Sequence, residues 1–386
     1  MAAWCAENLR DLEGWRASGL TLTTPSNECA KLFDGALRQI VSWSDCDALG
    51  GLVKTLEDMK AADPKAVLPR AFRLGLEGLG TSTCTRVNET LKMGLEQLQE
   101  DAKDYGNTRE QKHAKAVLLW CEGWALNLNR FDCWATHARA HCMVMQGRND
   151  EGINFMESTV DDWRPGWVIA THNYWHNALF YIEKGNYETP LTIFDNEVCR
   201  RANRPKQSVL DLADAASMLW RLELEGVDVG KRWHDLPNLS THSEDHVTCF
   251  NDAHLGIAFQ RRGDTDEEAH LYETLVDFAK SADVDNAQVC RDVGVALYEG
   301  MQLYGKGQYD EAAEKMLPVR HEVYRVGGSN AQRDIFAQTL IQACIMSKDP
   351  EHFNQTNTLL DERSALNKNS SIGERLAAKF RKYHPL

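Results

Sequence analysis

Gly307-Gln308-Tyr309-Asp310-Glu311-Ala312 reads as the join between two helices. A glycine at the end of an apolar-periodic segment can take the left-handed conformation that closes a helix. Acids in the next turn complement the positive end of the second helix dipole. The same punctuation occurs at Gly147-Arg148-Asn149-Asp150-Glu151, Gly185-Asn186-Tyr187-Glu188 and Gly263-Asp264-Thr265-Asp266-Glu267-Glu268. These glycines recur about every 40 residues, with one double interval,. Small residues just past the turn, Ala312 and Ala313, let the paired helices cross closely. Each turn therefore predicts an antiparallel helix pair.

On either side of these turns the apolar residues step by three and four. Val289, Val293, Ala296, Leu297, Gly300, Met301 and Tyr304 form one such stripe,. Helix starts are marked at Thr24-Pro25 and by capping-box patterns at Thr108–Gln111, Thr241–Glu244, Ser329–Gln332 and Ser371–Glu374,. The pattern predicts a run of helices from residue 26 to residue 383, among them 108–126, 131–146, 166–184, 243–262 and 286–305. Strand signals are nearly absent. The expected fold is all-α: an α-solenoid of degenerate tetratricopeptide-like helical hairpins, in which length has no upper bound. It forms one array over 1–386, with N-terminal hairpins to residue 126 and a histidine-rich C-terminal part over 127–386. The segment 108–128 is expected to form one long or kinked helix that leaves Trp120 or Trp124 exposed.

A net charge of −14 with no basic stripe excludes electrostatic binding of nucleic acid,. The N-terminus lacks the charged and apolar regions of a signal peptide, and no window reaches the roughly 18 apolar residues of a membrane span. The 11 cysteines are odd in number and scattered, with no Cys-x-x-Cys pair, which fits a reducing compartment,. A cytoplasmic protein without membrane association is expected.

From end to end the chain resembles the tetratricopeptide repeat protein 38 family. The segments that carry the resemblance are Ser26–Asp34, Lys60–Pro64, His172-Asn173-Tyr174-Trp175-His176, Ile182–Tyr187, Phe250–His254 and Gly327–Asp334. The resemblance implies an α-helical repeat fold and carries no activity with it. Near Gly123 the family has roughly two further helical hairpins, which this chain lacks.

Thirteen histidines would give fewer than one pair four residues apart by chance, yet three occur within one stretch: His137/His141, His172/His176 and His242/His246. Four residues is just over one helical turn, so each pair shares a helix face. On 131–146, His141 falls in a stripe with Trp134, Ala138 and Met145; on 166–184, His172 and His176 align with Val168, Ile169, Leu179 and Phe180. Both pairs are expected to point inward, either as core struts bonded to neighbouring polar groups or as the lining of a ligand or metal cavity. If Thr241 caps its helix, His242 is exposed, while His246 and His254 share a face with Phe250. Asn173, Asn251 and Asp252 add polar groups beside them.

Two helical histidines can share a zinc ion, but neither inward pair has the glutamate of a His-Glu-x-x-His metalloprotease. No motif requires a cofactor; zinc is the ion such spacing could hold. Gly327-Gly328 before Ser329 reads first as a helix end followed by a cap, with Arg333 placed to face a groove and bind an acid. No strand precedes any glycine-rich segment, so nucleotide loops and nucleophile elbows are excluded.

Two functions compete. The first is a scaffold that binds a protein or peptide on the concave face of the repeats. The second is an enzyme, or a binder of a small molecule or metal, using a cavity between helices 131–146, 166–184 and 243–262. Its candidate residues are His137, His141, His172, Asn173, His176, His246, Asn251, Asp252 and His254, with Arg333 in addition. Convergence separates the two: a scaffold spreads its polar residues along a groove, whereas a site draws them together.

Overall fold

Asn107, not Thr108, opens the helix expected at 108: its Oδ1 accepts the Glu110 N–H, while Glu110 Oε2 accepts the Asn107 N–H. The same one- or two-residue displacement recurs. Ser26 replaces Thr24 and Ser370 replaces Ser371 as the capping oxygen. Ser329 and Gln332 form the reciprocal box as expected. The computed structural model describes residues 3–42, 44–80, 88–121, 126, 129–166, 169–205, 208–367 and 369–384. All regular structure among them is helical. No helix of the described residues is long and apolar enough to cross a membrane.

The chain divides into two compact units, Met1–Ala138 and Arg139–Leu386. The division falls inside a helix, Cys133–Met145. In the first unit α1 (Leu12–Ala17), α2 (Asn27–Ser42) and α3 (Gly51–Ala62) pack Trp15, Phe33 and Met59 into one core. A second core joins α4 (Val67–Gly80), α5 (Glu89–Tyr105) and α6 (Thr108–Cys121) through Leu74, Leu91, Leu95 and Leu98. Helix α6 is described as far as Cys121, with Trp120 half-buried. Trp124 and most of the join expected to run on to residue 128 lie outside the described residues.

In the second unit all four turn glycines are left-handed, with φ of 64° at Gly147, 75° at Gly185 and 76° at both Gly263 and Gly307. They connect α7 (Cys133–Met145) to α8 (Asn149–Ser158); a short α9 (Val160–Trp163) then leads to α10 (Ile169–Glu183). Beyond Gly185, α11 (Glu188–Ile193) runs through a π-helical turn, Phe194–Val198, into α12 (Cys199–Ala202). Next come α13 (Val209–Leu224), α14 (Cys249–Arg262) and α15 (Thr265–Ser281). Another π-helical turn, Cys290–Gly294, joins α16 (Asp285–Val289) to α17 (Val295–Gly305). The unit closes with α18 (Tyr309–Met316), α19 (Asn330–Met346), α20 (Pro350–Leu366) and α21 (Ser371–Tyr383).

Close crossing across the Gly307 turn comes from the small residues. A Cβ on Gly300 would come within 2.3 Å of the Met316 Cγ, and Ala312 and Ala313 are fully buried. The predicted stripe on this hairpin is shifted at its start. The π turn adds one residue, so Cys290 is buried while Val289 is only half-buried; Val293, Leu297 and Met301 then continue the core,.

The helix expected over 243–262 starts later. Thr248 accepts the Asn251 N–H and caps α14 at Cys249, while Ser240–His242 is a short 3₁₀ turn. His246 lies between them with φ of 41°, a left-handed conformation uncommon outside glycine,. His242 and His246 are therefore not a helical pair.

Candidate functional site

The two pairs that do sit on helices face each other. His141 on α7 and His176 on α10 meet edge to face with ring centroids 4.3 Å apart. His172, one turn before His176, lies 4.7 Å from it. His137 is one turn before His141 on the same continuous helix, within which the division between units falls. One ring nitrogen from each of His141, His172 and His176 can be chosen so that all three lie within 4.8 Å of one another. His141 and His176 are buried; His137 and His172 are half-buried. Trp134, predicted to point inward beside His141, is instead 49% exposed; the buried face of α7 carries Ala140, His141 and Met143.

A carboxylate from a third helix orients the cluster. His172 Nδ1 lies 2.8 and 2.9 Å from the two Asp214 oxygens of α13. That bond assigns the proton to Nδ1 and places the ligating lone pair on Nε2. Trp175 stacks on the His172 ring, 4.9 Å away at 11°. Burial, reinforced by the neighbouring His172, holds the His141 imidazole down to a pKa of about 3,. His141 is thus neutral at physiological pH. Asn173 is fully buried on the same helix as His172 and His176.

The remaining candidates do not join this cluster. His254 is buried, and its Nδ1 donates to the Phe250 carbonyl of its own helix at 2.7 Å. Its ring packs against Phe250 and Phe336, with centroids 4.1 and 5.7 Å away. That is a core strut. Its pKa is lowered to about 4, first by burial. His246 Nδ1 meets Asp252 Oδ1 at 3.1 Å. Asp252 belongs to a second group, with the Cys249 and Cys290 thiols, whose ligand atoms also lie within 4.8 Å of each other. The two sulfurs are 2.8 Å apart. The Cys290 contact, with burial, pushes the Cys249 thiol well up, and burial raises Asp252. Asn251 is buried at the start of α14, where its N–H is spent on the Thr248 cap. The expected three-helix site therefore separates into two.

Asp214 is the one member of the site that neither periodicity nor spacing reveals. Its only signal is a lone acid within Leu212-Ala213-Asp214-Ala215-Ala216, since a charge inside an apolar run needs a partner,. Arg221, seven residues on and 2% exposed, carries the same signal. Arg333 does line a cavity, together with Arg221.

Three imidazole nitrogens so placed suit a borderline transition metal ion better than calcium or magnesium, which prefer oxygen. A tetrahedral ion with Zn–N of about 2.0–2.1 Å needs its ligand nitrogens roughly 3.4 Å apart. The histidines would have to draw in by at most about 1.4 Å at the widest pair,. No protein-family model matches the chain, and no solved structure matches it.

Proposed function

We propose that α7 and α10 build a binding centre for one transition metal ion, zinc by preference, with His141, His172 and His176 as its ligands. The observation that carries this is the gathering of His141, His172 and His176 from two helices into one group. The Asp214–His172 contact supports it, because ligating imidazoles commonly pass their second nitrogen to a carboxylate,. When bound, such an ion supplies a Lewis-acid centre. The chain's own part is to hold the imidazoles inward and to fix the His172 tautomer through Asp214. No glutamate comes directly after the first histidine of either pair, so a protease-type general base is not part of the reading.

The frame around the centre is read as hairpins of tetratricopeptide type, stacked as a degenerate solenoid in the second unit. The four left-handed glycine turns support this. A protein or peptide partner on the concave face is the expectation attached to such a fold. The polar residues here gather on two helices instead of spreading along a groove, which favours the ion.

The test uses the full chain, stripped by chelator and dialysed against zinc, with metal content measured by mass spectrometry. One ion per chain is expected, and His141→Ala and His176→Ala should each abolish it while the helical spectrum persists. Zinc at 100 times its Kd should stabilise the wild type by about 2.7 kcal/mol and leave both variants unchanged. A folded wild type that retains no ion, or variants that keep it, would sink the proposal.

A further inference from the structure

A cavity of about 460 Å³ opens within the second unit, and its walls begin one helical turn beyond His141 and His176, at Met145 and at Leu179-Phe180. This volume is within the range of small-molecule sites. Leu179, Phe180, Leu297, Phe336 and Leu340 give it an apolar wall, and four arginines and three carboxylates line the rest. The charges can be paired off. Arg363 pairs with Asp334 through both of its terminal nitrogens. Arg221 also leans on Asp334, at 3.6 Å, and spends further N–H groups on the Ala331 and Gln332 carbonyls at 2.8 and 3.2 Å. Arg320 faces Glu362 at 3.9 Å. Glu183 accepts the Ile372 N–H at 3.0 Å, and its charge acts on Arg221 and Arg363.

Arg333 is the exception. Its guanidinium donates to the Gly327 and Gly328 carbonyls and to Asn330 Oδ1, all neutral acceptors. No carboxylate among the described residues lies within salt-bridge reach of it. The two glycines are left-handed, with φ of 97° and 74°, and carry their carbonyls into contact with the guanidinium, so the side chain is held in place before any ligand arrives. The cavity thus combines an apolar body with one positioned, uncompensated positive charge at its wall. Four arginines against three carboxylates leave a net charge of +1 along the lining.

We infer that this cavity binds an amphipathic monoanion, a single carboxylate on an apolar chain, with the carboxylate on Arg333 and the chain along Leu179, Phe180 and Leu340. A guanidinium offers a carboxylate directional, charge-assisted hydrogen bonds, which an alcohol of the same chain length cannot match. A dication or a polyanion is disfavoured by the net charge and by the apolar wall. The site does not depend on the metal centre, because no histidine of the cluster lines it.

The experiment is titration calorimetry of the full chain with decanoate, decan-1-ol and decylamine, each kept below its micelle concentration. Decanoate should bind at least tenfold more tightly than the alcohol, and the amine should not bind. Arg333→Gln should reduce decanoate to the affinity of the alcohol while leaving the alcohol unchanged. Leu340→Trp, which fills the apolar wall, should weaken both together. The midpoint of thermal unfolding of each variant shows whether it is folded. Chelator-treated and zinc-loaded protein should bind decanoate equally. Equal affinity for acid and alcohol, an Arg333→Gln variant that keeps the preference, or folded protein that binds neither would overturn the assignment. Loss of decanoate binding on chelation would move the carboxylate from Arg333 to the ion, and would overturn it too.

Discussion

His172/His176 and His242/His246 have the same spacing in the sequence and opposite fates in the structure. The first pair lies on α10 and faces His141 across a few ångströms. The second is split by a 3₁₀ turn and a left-handed residue. The difference lies in where the helix begins. Ile169 to Glu183 is helical throughout the first pair, whereas α14 starts only at Cys249, after both members of the second. Spacing becomes geometry only inside a helix. His254, the next histidine on α14, is spent on its own backbone and on two phenylalanines.

The comparison can be broken first by acid. His254 is neutral in the folded protein, with its pKa held near 4 by burial and, to a smaller extent, by the nearby Arg221 charge. In the unfolded chain it titrates near 6.5. Between those values the unfolded state binds more protons, so stability rises with pH and is lost as pH falls from about 6.5 toward 4. For this one side chain the loss is on the order of 3 kcal/mol. Chemical denaturation of metal-free wild type and His254→Ala over that range should show a steeper fall in the wild type. The variant should also start lower by about 1–3 kcal/mol at pH 7, from the lost bond and packing, with its metal content unchanged. A His254→Ala protein that loses metal would merge the two regions again.

A smaller effect tests the carboxylate on the first region. Asp214→Asn keeps the size of the side chain but removes the charge facing His172 Nδ1. It should weaken zinc binding by roughly 10- to 100-fold without abolishing it. Competition against a chromophoric chelator reads this directly, and unchanged affinity would make Asp214 a packing residue.

The smallest effect bears on the helix start itself. Thr248→Ala should cost about 1 kcal/mol, because it removes the oxygen that accepts the Asn251 N–H,. Thr241→Ala, at an exposed position, should stay within about 0.5 kcal/mol,. Urea unfolding of the two variants side by side decides it; the reverse order would restore the start at Thr241.

Much of the molecule is legible in its sequence. The turn glycines at 147, 185, 263 and 307 need only local chemistry, since a left-handed residue ending a helix favours glycine whatever surrounds it,. The inward pairs on α7 and α10 come from helical periodicity inside elements whose expected limits are nearly right. The start of α14 is not legible, because Thr241-His242-Ser243-Glu244 satisfies the capping-box pattern as well as any true cap does. Only the packing of Cys249 and Phe250 picks Thr248. Trp134 misleads for a related reason: a large aromatic on a stripe reads as core, yet α7 buries Ala135 and Ala140 instead. Asp214 belongs to a helix far along the chain, and a pairing across that separation leaves no periodic trace. The solitary acid among alanines is the available clue.

The π-helical turn at Cys290–Gly294 bears on how such chains change length. It holds one residue more than an α-helix needs over the same rise,. Deleting one residue there would wind the turn back to α and rotate α16 by about 100° relative to α17. Cys290 would swing away from Cys249, and Val289 would replace it in the core. The hairpin would survive such a deletion, and the thiol pair would not. The interval between the Gly263 and Gly307 turns is therefore one residue longer than an unbroken α-helix would make it. Aligning these repeats by a fixed period will misplace every residue between Asp285 and that turn by one.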